Sequence, residues 1–398
     1  MKIDSMIYVG AAHRACALKR FGAQAWPPGL GAHSGAPLRN HDGNVSFSTK
    51  RLMEKLDLLI FDMDGVLIDV SKSYRKTIQQ TIHIYLETCF GIRKNKNWRV
   101  TDEEVSLFKS VGGFNNDWDL TSGLLLYLLS ISGLPPSPKP KKFSSIQEII
   151  SYLKTKPFKF NLKSGLRLKK KHFSDFLKEV KSFGGGLRGV RLALRASWDG
   201  WVYRSGDLDK ENVVKRIFQE VYLGRQFNSY YHLQPIFYKG QGLYLQERLL
   251  IARNVLSSLR KKLRMGIASG RPRFEAELAL KRFQLLPYFD SVVTLDECMK
   301  EEDRLLRSTG KRISCLKPNP YSLLRVIQEI GISKPRCGYI GDVMDDMLAA
   351  QAAKKRFPIL AIGFLSGRFK RKAMKESLLR AGADLLIENS NDLLQFIA

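Results

Sequence analysis

Acidic residues are scarce in this chain. Its 398 residues hold 38 Asp and Glu against 66 Lys and Arg, a formal charge of +28 at pH 7. Such an excess suits steering of an anionic substrate or nonspecific nucleic-acid binding, with a merely solvated basic surface as the plain alternative. Long apolar runs are missing as well. The strongest, Gly123 to Leu129, falls far short of the ~20 residues a bilayer span requires; no membrane association is expected, and the run reads as a buried helix. Cysteine is sparse: Cys16, Cys89, Cys298, Cys315 and Cys337 are scattered, odd in number and without metal-ligand spacing. That argues against a disulfide framework or a zinc site and fits a reduced compartment. Residues 1–50 carry only Asp4 and Asp42 as acids and lack the apolar core of a secretory signal. We expect residues 1–52 to be a disordered basic extension, either an organellar transit peptide or chain upstream of a true start at Met53. Cytoplasmic placement is expected, organellar targeting staying open. No internal repeat is found.

What is present is a set of carboxylates at strand ends. The apolar run Leu56 to Phe61 ends in Asp62-Met63-Asp64-Gly65-Val66. Alternation puts Asp62 and Asp64 on one side of an extended backbone, so both can face one ligand. A calcium loop also begins D-x-D, but it wants glycine sixth and glutamate twelfth; here the glycine is fourth. A second apolar strand, Arg264 to Ala268, ends in Ser269-Gly270-Arg271-Pro272. Lys317-Pro318-Asn319-Pro320 opens a helical stretch from Tyr321 to Ile330, and a short strand Cys337 to Ile340 runs into Gly341-Asp342-Val343-Met344-Asp345-Asp346. Singly, the serine reads as a turn, the lysine as a solvated helix start and Asp342 as a helix N-cap. In this order, each beside a strand end or helix start, they form a pattern.

That pattern resembles the haloacid dehalogenase superfamily of phosphohydrolases, over roughly residues 54–75 and 262–398. The resemblance implies a doubly wound, mostly parallel, Rossmann-like α/β core carrying a large, mainly helical inserted cap. It assigns Asp62 as the nucleophile that takes the phosphoryl group and Asp64 as the acid, then base, of the two half-reactions. Ser269, the Gly270 amide and Lys317 would hold the phosphoryl oxygens, Lys317 also facing the nucleophile. Mg²⁺ would sit on the Asp62 carboxylate, the Asp64 carbonyl and Asp342, with Asp346 holding a metal-bound water or orienting Lys317. The implied activity is hydrolysis of a small phosphomonoester, phosphoglycolate-phosphatase-like. A phosphomutase on a sugar phosphate uses the same motifs, and a nucleic-acid-associated protein working through its basic insert is the rival from another class.

Spacing locates the extra chain. Asp64 and Ser269 lie 205 positions apart, whereas a βα unit needs about thirty residues. We therefore expect a core of residues 53–70 and 250–398 with a cap over 71–249. Within the cap, Lys72 to Phe90 and Phe173 to Val180 read as helices, and Leu243 to Leu263 as a helix re-entering the core. Between Pro136 and Arg195, 16 Lys and Arg face only Glu148, Asp175 and Glu179, so residues 135–195 read as a basic, partly flexible stretch. Its aromatics (Phe143, Tyr152, Phe158, Phe160, Phe173) are compatible with base stacking or with a small core. Gly184 to Gly189 reads as a flexible hinge, because no strand precedes its dinucleotide-like glycines. The string Lys109 to Asp119 looks like a cap signature in which Lys109, Asn115 and Asn116 could contact the leaving group. Arg75 and Arg271 are further candidate contacts. The expected partner is a small phosphorylated metabolite; the substrate and oligomeric state are not written in the sequence.

Overall fold

The structure is a computed structural model that describes residues 56–92, 100–114, 116–156, 170–365 and 371–397. Readings that fall on residues 1–52, on Asn115, or on Phe158 and Phe160 lie outside them. Among the described residues, no helix is long and apolar enough to cross a membrane.

Six parallel strands form the core: β1 Leu58–Phe61, β4 Arg264–Ala268, β5 Ser291–Val293, β6 Cys337–Gly341, β7 Ile359–Phe364 and β8 Leu385–Ile387, in the order β5-β4-β1-β6-β7-β8. Every residue of β1 is buried. Strands covered on both faces read as continuous apolar runs rather than alternating ones, and LLIF is such a run. Alternation divides the strand between two cores. Leu59 and Phe61 pack with Met265, Ile267, Val255 and Ala276 on one face. Leu58 and Ile60 pack with Val326, Tyr339 and Met347 on the other. Helices Arg253–Arg260 and Arg273–Arg282 supply the first face; helices Tyr321–Ile330 and Met344–Ala353 supply the second.

The strand order fixes where a ligand can bind. From β1 the chain goes to β4 and β5 on one side, then crosses to β6, β7 and β8 on the other, so the winding reverses at β1. Open α/β sheets bind ligands at the carboxyl ends of strands beside such a reversal. Phe61 is in register with Ile267 of β4 and Ile340 of β6. The residues just past these three strands therefore emerge side by side.

Between β1 and β4 the chain leaves and returns as a paired ribbon, β2 Ile68–Asp69 antiparallel to β3 Arg248–Leu249. The intervening helices pack on a core of their own. Helix Tyr74–Phe90 matches the expectation within two residues, and Ile78, Ile82 and Leu86 line its buried side. Helix Asp117–Ser130 is apolar nearly all round, as a helix buried on every side should be. Each of its fully buried leucines contributes about 1.5–3 kcal/mol over exposure. The basic segment also joins this core. Phe173 stacks on Phe108, with ring centroids 6.0 Å apart, and Phe143 meets Tyr152 at 5.1 Å. These rings belong to a core and do not stand free for bases.

Two readings need correction. The expected helix Leu243 to Leu263 is a 3-10 turn Leu243–Gln246, then β3, then helix Arg253–Arg260. Pairing of β3 with the outgoing β2 overrides a helical apolar spacing. Within the expected hinge, Gly185 and Gly186 make a close backbone contact instead. The N–H of Gly186 donates to the Gly112 carbonyl at 2.8 Å, and a Cβ on Gly186 would lie 2.1 Å from the Gly113 oxygen.

Candidate active site

Asp62 follows β1 directly and is 6 % exposed. Its amide N–H donates to the Ile340 carbonyl at 2.8 Å, extending the β1–β6 ladder and anchoring the residue. The Lys317 ammonium has four acceptors within reach of its three N–H groups: Asp62 Oδ1 at 2.8 Å, Asp346 Oδ1 at 2.7 Å, the Tyr339 hydroxyl at 2.9 Å and the Ala268 carbonyl at 3.2 Å. Lys317 thus ties the ends of β1 and β4 to helix Met344–Ala353. Burial raises the Asp62 carboxyl to about 7, Lys317 opposing and Asp346 and Asp64 reinforcing. Burial also works against the Lys317 ammonium, but Asp346 and Asp62 outweigh it and hold its pKa well above the ordinary lysine range.

Asp346 is fully engaged. Its Oδ1 accepts from Lys317 and, at 2.7 Å, from Tyr339 Oη; its Oδ2 accepts the N–H groups of Asp342 and Val343, each at 3.1 Å. It caps its own helix from the third position, which displaces the N-cap reading of Asp342. Asp342 is left facing Asp62. Asp62, Asp342 and Asp346 can each bring a carboxylate oxygen within 4.8 Å of the others. Burial, then Asp346 and Asp62, pushes the Asp342 carboxyl well above the usual range. Lys317 alone cannot balance three carboxylates, so a divalent cation fits here, and hard oxygen donors suit Mg²⁺. Since Asp346 has no oxygen to spare, Asp62 and Asp342 are the carboxylates that would hold it. Gly65, at φ +79°, makes room: a Cβ there would lie 2.0 Å from Asp342 Oδ2.

On the β4 side, Ser269 is buried, and its Oγ accepts the Arg271 N–H at 3.1 Å. Gly270 is exposed, and an added Cβ would meet nothing within 4 Å. Any role for Gly270 therefore rests on its amide. The structure brings Ser269, Asp62 and Asp342 to the carboxyl ends of the neighbouring strands β4, β1 and β6, with Lys317 reaching over them.

The outer candidates fare differently. Arg271 is not free for substrate: its side chain is 1 % exposed, and Nε donates to Asp64 Oδ1 at 2.5 Å while Nη2 donates to Glu247 Oε1 at 3.0 Å. Asn116 caps helix Asp117–Ser130, accepting the Asp119 N–H at 2.7 Å; the N-x-x-D spacing could have signalled this. Lys109 pairs with Asp117 at 3.4 Å with 44 % of its side chain exposed. Asp117 first, then Asp64 and Asp342, raise its pKa against burial, so its charge reaches the site carboxylates. Arg75 is exposed, and its like charge works to lower the Lys109 pKa. Sequence reasoning missed Tyr339, Glu247 and Tyr222. A lone tyrosine inside a buried strand is the one signal that could have marked Tyr339, since its hydroxyl must find a partner.

Residues 251–359 match the family model for haloacid dehalogenase-like hydrolases. That segment, 109 of the 398 residues, is similar to haloacid dehalogenase-like hydrolases. A structural-genomics protein solved by X-ray diffraction is 20 % identical with a TM-score of 0.54, covering 86 % of this chain and 98 % of its own, which shows the shared fold. The chain is also similar to a phosphatase from Thermococcus thioreducens (20 % identity, TM-score 0.48, 81 % and 99 % covered). A haloacid dehalogenase-superfamily hydrolase of subfamily IA from Geobacter sulfurreducens shows 14 % identity and a TM-score of 0.37, with 86 % and 97 % covered. Over 68 residues, 17 % of this chain, it is 40 % identical to an imidazoleglycerol-phosphate dehydratase of Phytophthora nicotianae, and spans 13 % of that protein's length. Both carboxylates of the D-x-D pair lie outside the family-model segment. Parallel pairing of β1 with β4 and β6 is what joins them to that segment.

Proposed function

We propose that the chain is a Mg²⁺-dependent phosphatase acting on a small phosphomonoester through an aspartyl-phosphate on Asp62. The observation that carries this is the convergence of Asp62 with Lys317, Ser269 and Asp342 at the reversal of the sheet. Asp62 attacks phosphorus as the bond to the leaving oxygen breaks, and Asp64 delivers a proton to that oxygen. Asp64 then takes a proton from water, which attacks phosphorus and releases phosphate from Asp62. Ser269, the Gly270 amide and Lys317 meet the charge on the phosphoryl oxygens; one such donor is worth about 2.7–4 kcal/mol in the transition state. Mg²⁺, held by Asp62, Asp342 and the Asp64 carbonyl, would neutralise two anions that otherwise repel. The helical lobe, as a cap, would exclude water and select the ester.

Phosphate release from a panel of glycolate, sugar, nucleotide and aromatic phosphates, with and without Mg²⁺, tests the reading. Metal-dependent release is expected. An isomerised sugar phosphate without free phosphate would point to a mutase instead. No turnover of any member by folded, metal-loaded protein would sink the proposal.

The metal corner has its own test in Gly65→Ala. Mg²⁺ at about 100-fold over its Kd should stabilise the unsubstituted protein by about 2.7 kcal/mol, read as a rise in melting temperature. The added methyl must push Asp342 aside, so the variant should show almost none of that rise. An undiminished rise would place the metal elsewhere.

A further inference from the structure

Arg271 lies between two carboxylates that the chain brings from far apart. On one side Nε reaches Asp64 Oδ1 at 2.5 Å. On the other, Nη2 donates to Glu247 Oε1 at 3.0 Å and Nη1 approaches Oε2 at 3.4 Å, a forked pairing that fixes the guanidinium plane. The side chains of Arg271 and Glu247 are each 1 % exposed, whereas that of Asp64 is 26 % exposed. The fork is therefore sealed and the acid/base end is open.

Glu247 is in turn held by residues of the helical lobe. Tyr222 Oη, from helix Val213–Leu223, donates to Glu247 Oε1 at 2.9 Å and accepts from Arg271 Nη1 at 3.1 Å. Ser73 Oγ donates to the same Oε1 at 3.1 Å. The Tyr74 ring lies 5.0 Å from the guanidinium carbon and stacks on Tyr222 at 4.5 Å and 6°. A guanidinium is a rigid plane. With its fork fixed on Glu247 and its face on Tyr74, Nε has one direction left, toward Asp64.

We propose that Glu247 and Tyr222 are positioning residues that act through Arg271 to aim the Asp64 carboxylate, so that protonation of the leaving group depends on how the helical lobe is seated. The inference rests on Asp64 being the acid of the proposed phosphatase. A buried network of this kind could serve only to glue lobe to core. The two roles part on leaving-group chemistry. An alkyl phosphate leaves as a poor anion and needs its proton; 4-nitrophenyl phosphate leaves as a good one and does not.

The experiment is kcat/KM for an alkyl phosphate and for 4-nitrophenyl phosphate, in the unsubstituted protein, Glu247→Gln and Tyr222→Phe. General acids contribute about 10²–10⁴-fold. Glu247→Gln should lose on the order of 10²-fold on the alkyl ester while keeping most of its rate on the aryl ester. Tyr222→Phe should lose less, in the same sense. Equal losses on both esters, or no loss on either, overturn the proposal. If Glu247→Gln does not fold, Tyr222→Phe decides. If the unsubstituted protein turns over neither ester, it is the phosphatase reading that has failed. The crystal structure of Glu247→Gln then judges the positioning: a guanidinium turned off Asp64 supports it, and an unmoved one overturns it.

Discussion

Asp62→Asn should give a folded protein that releases no phosphate. The amide keeps the shape of the side chain but cannot form the phosphoryl ester, and removing a covalent nucleophile costs on the order of 10⁴–10⁶-fold in turnover. Its effect on stability runs the other way. In the metal-free protein burial raises the Asp62 carboxyl to about 7, against about 3.9 in an unfolded chain. Between those values the folded state binds more protons than the unfolded state, so this group lowers stability as pH rises from about 4 to 7. The neutral amide is free of that loss, and Lys317 keeps Asp346 as its partner at 2.7 Å. Without metal, the variant should therefore melt at or above the unsubstituted protein at pH 8, with a smaller difference at pH 5. Retained phosphate release would remove Asp62 from the nucleophile's role. A variant melting well below its parent at pH 8 would show that the Asp62–Lys317 pair outweighs the burial of the charge.

Much of the core was legible because its signals are local. Arg264 to Ala268 and Tyr321 to Ile330 stand where their apolar patterns and flanking Gly, Ser and Pro put them. The strand ends carrying Asp62, Ser269 and Asp342 needed only an apolar run that stops at a polar residue. What the sequence hid was pairing at a distance. Arg271 sits in a Ser-Gly-Arg-Pro string that looks aimed at phosphate, but its partners are 207 and 24 positions away, at Asp64 and Glu247. Glu247 lies in irregular chain between a 3-10 turn and a two-residue strand, where no periodicity marks a side chain as buried. Glycine misled in the same way. Gly184 to Gly186 look flexible by composition, but the absent Cβ atoms of Gly185 and Gly186 allow two backbones to touch, a contact visible only once Gly112 and Gly113 are in place.

Lys317→Ala should damage both activity and stability. Three of the four atoms that Lys317 touches belong to other buried side chains, those of Asp62, Asp346 and Tyr339. Truncation leaves two carboxylates facing each other with no cation between them, and breaking a buried pair in this way costs about 3–5 kcal/mol. The pull that holds the Asp62 pKa down is also lost, so its carboxyl should take up a proton at higher pH than before. Protonation relieves the repulsion. The deficit should therefore be largest at pH 8 and shrink toward pH 5, a range over which loss of an ordinary surface salt bridge, whose carboxylate titrates at about 4, would cost a constant amount. Bound Mg²⁺ offers a second cation to Asp62, so it should raise the melting temperature of the variant more than that of the parent. Phosphate release should fall by about 10²–10³-fold, the scale seen when one transition-state donor is removed. Thermal melts at pH 5 and 8, with and without Mg²⁺, check the stability claim. A deficit independent of pH would mean that Lys317 acts by packing its aliphatic stem and not by its charge.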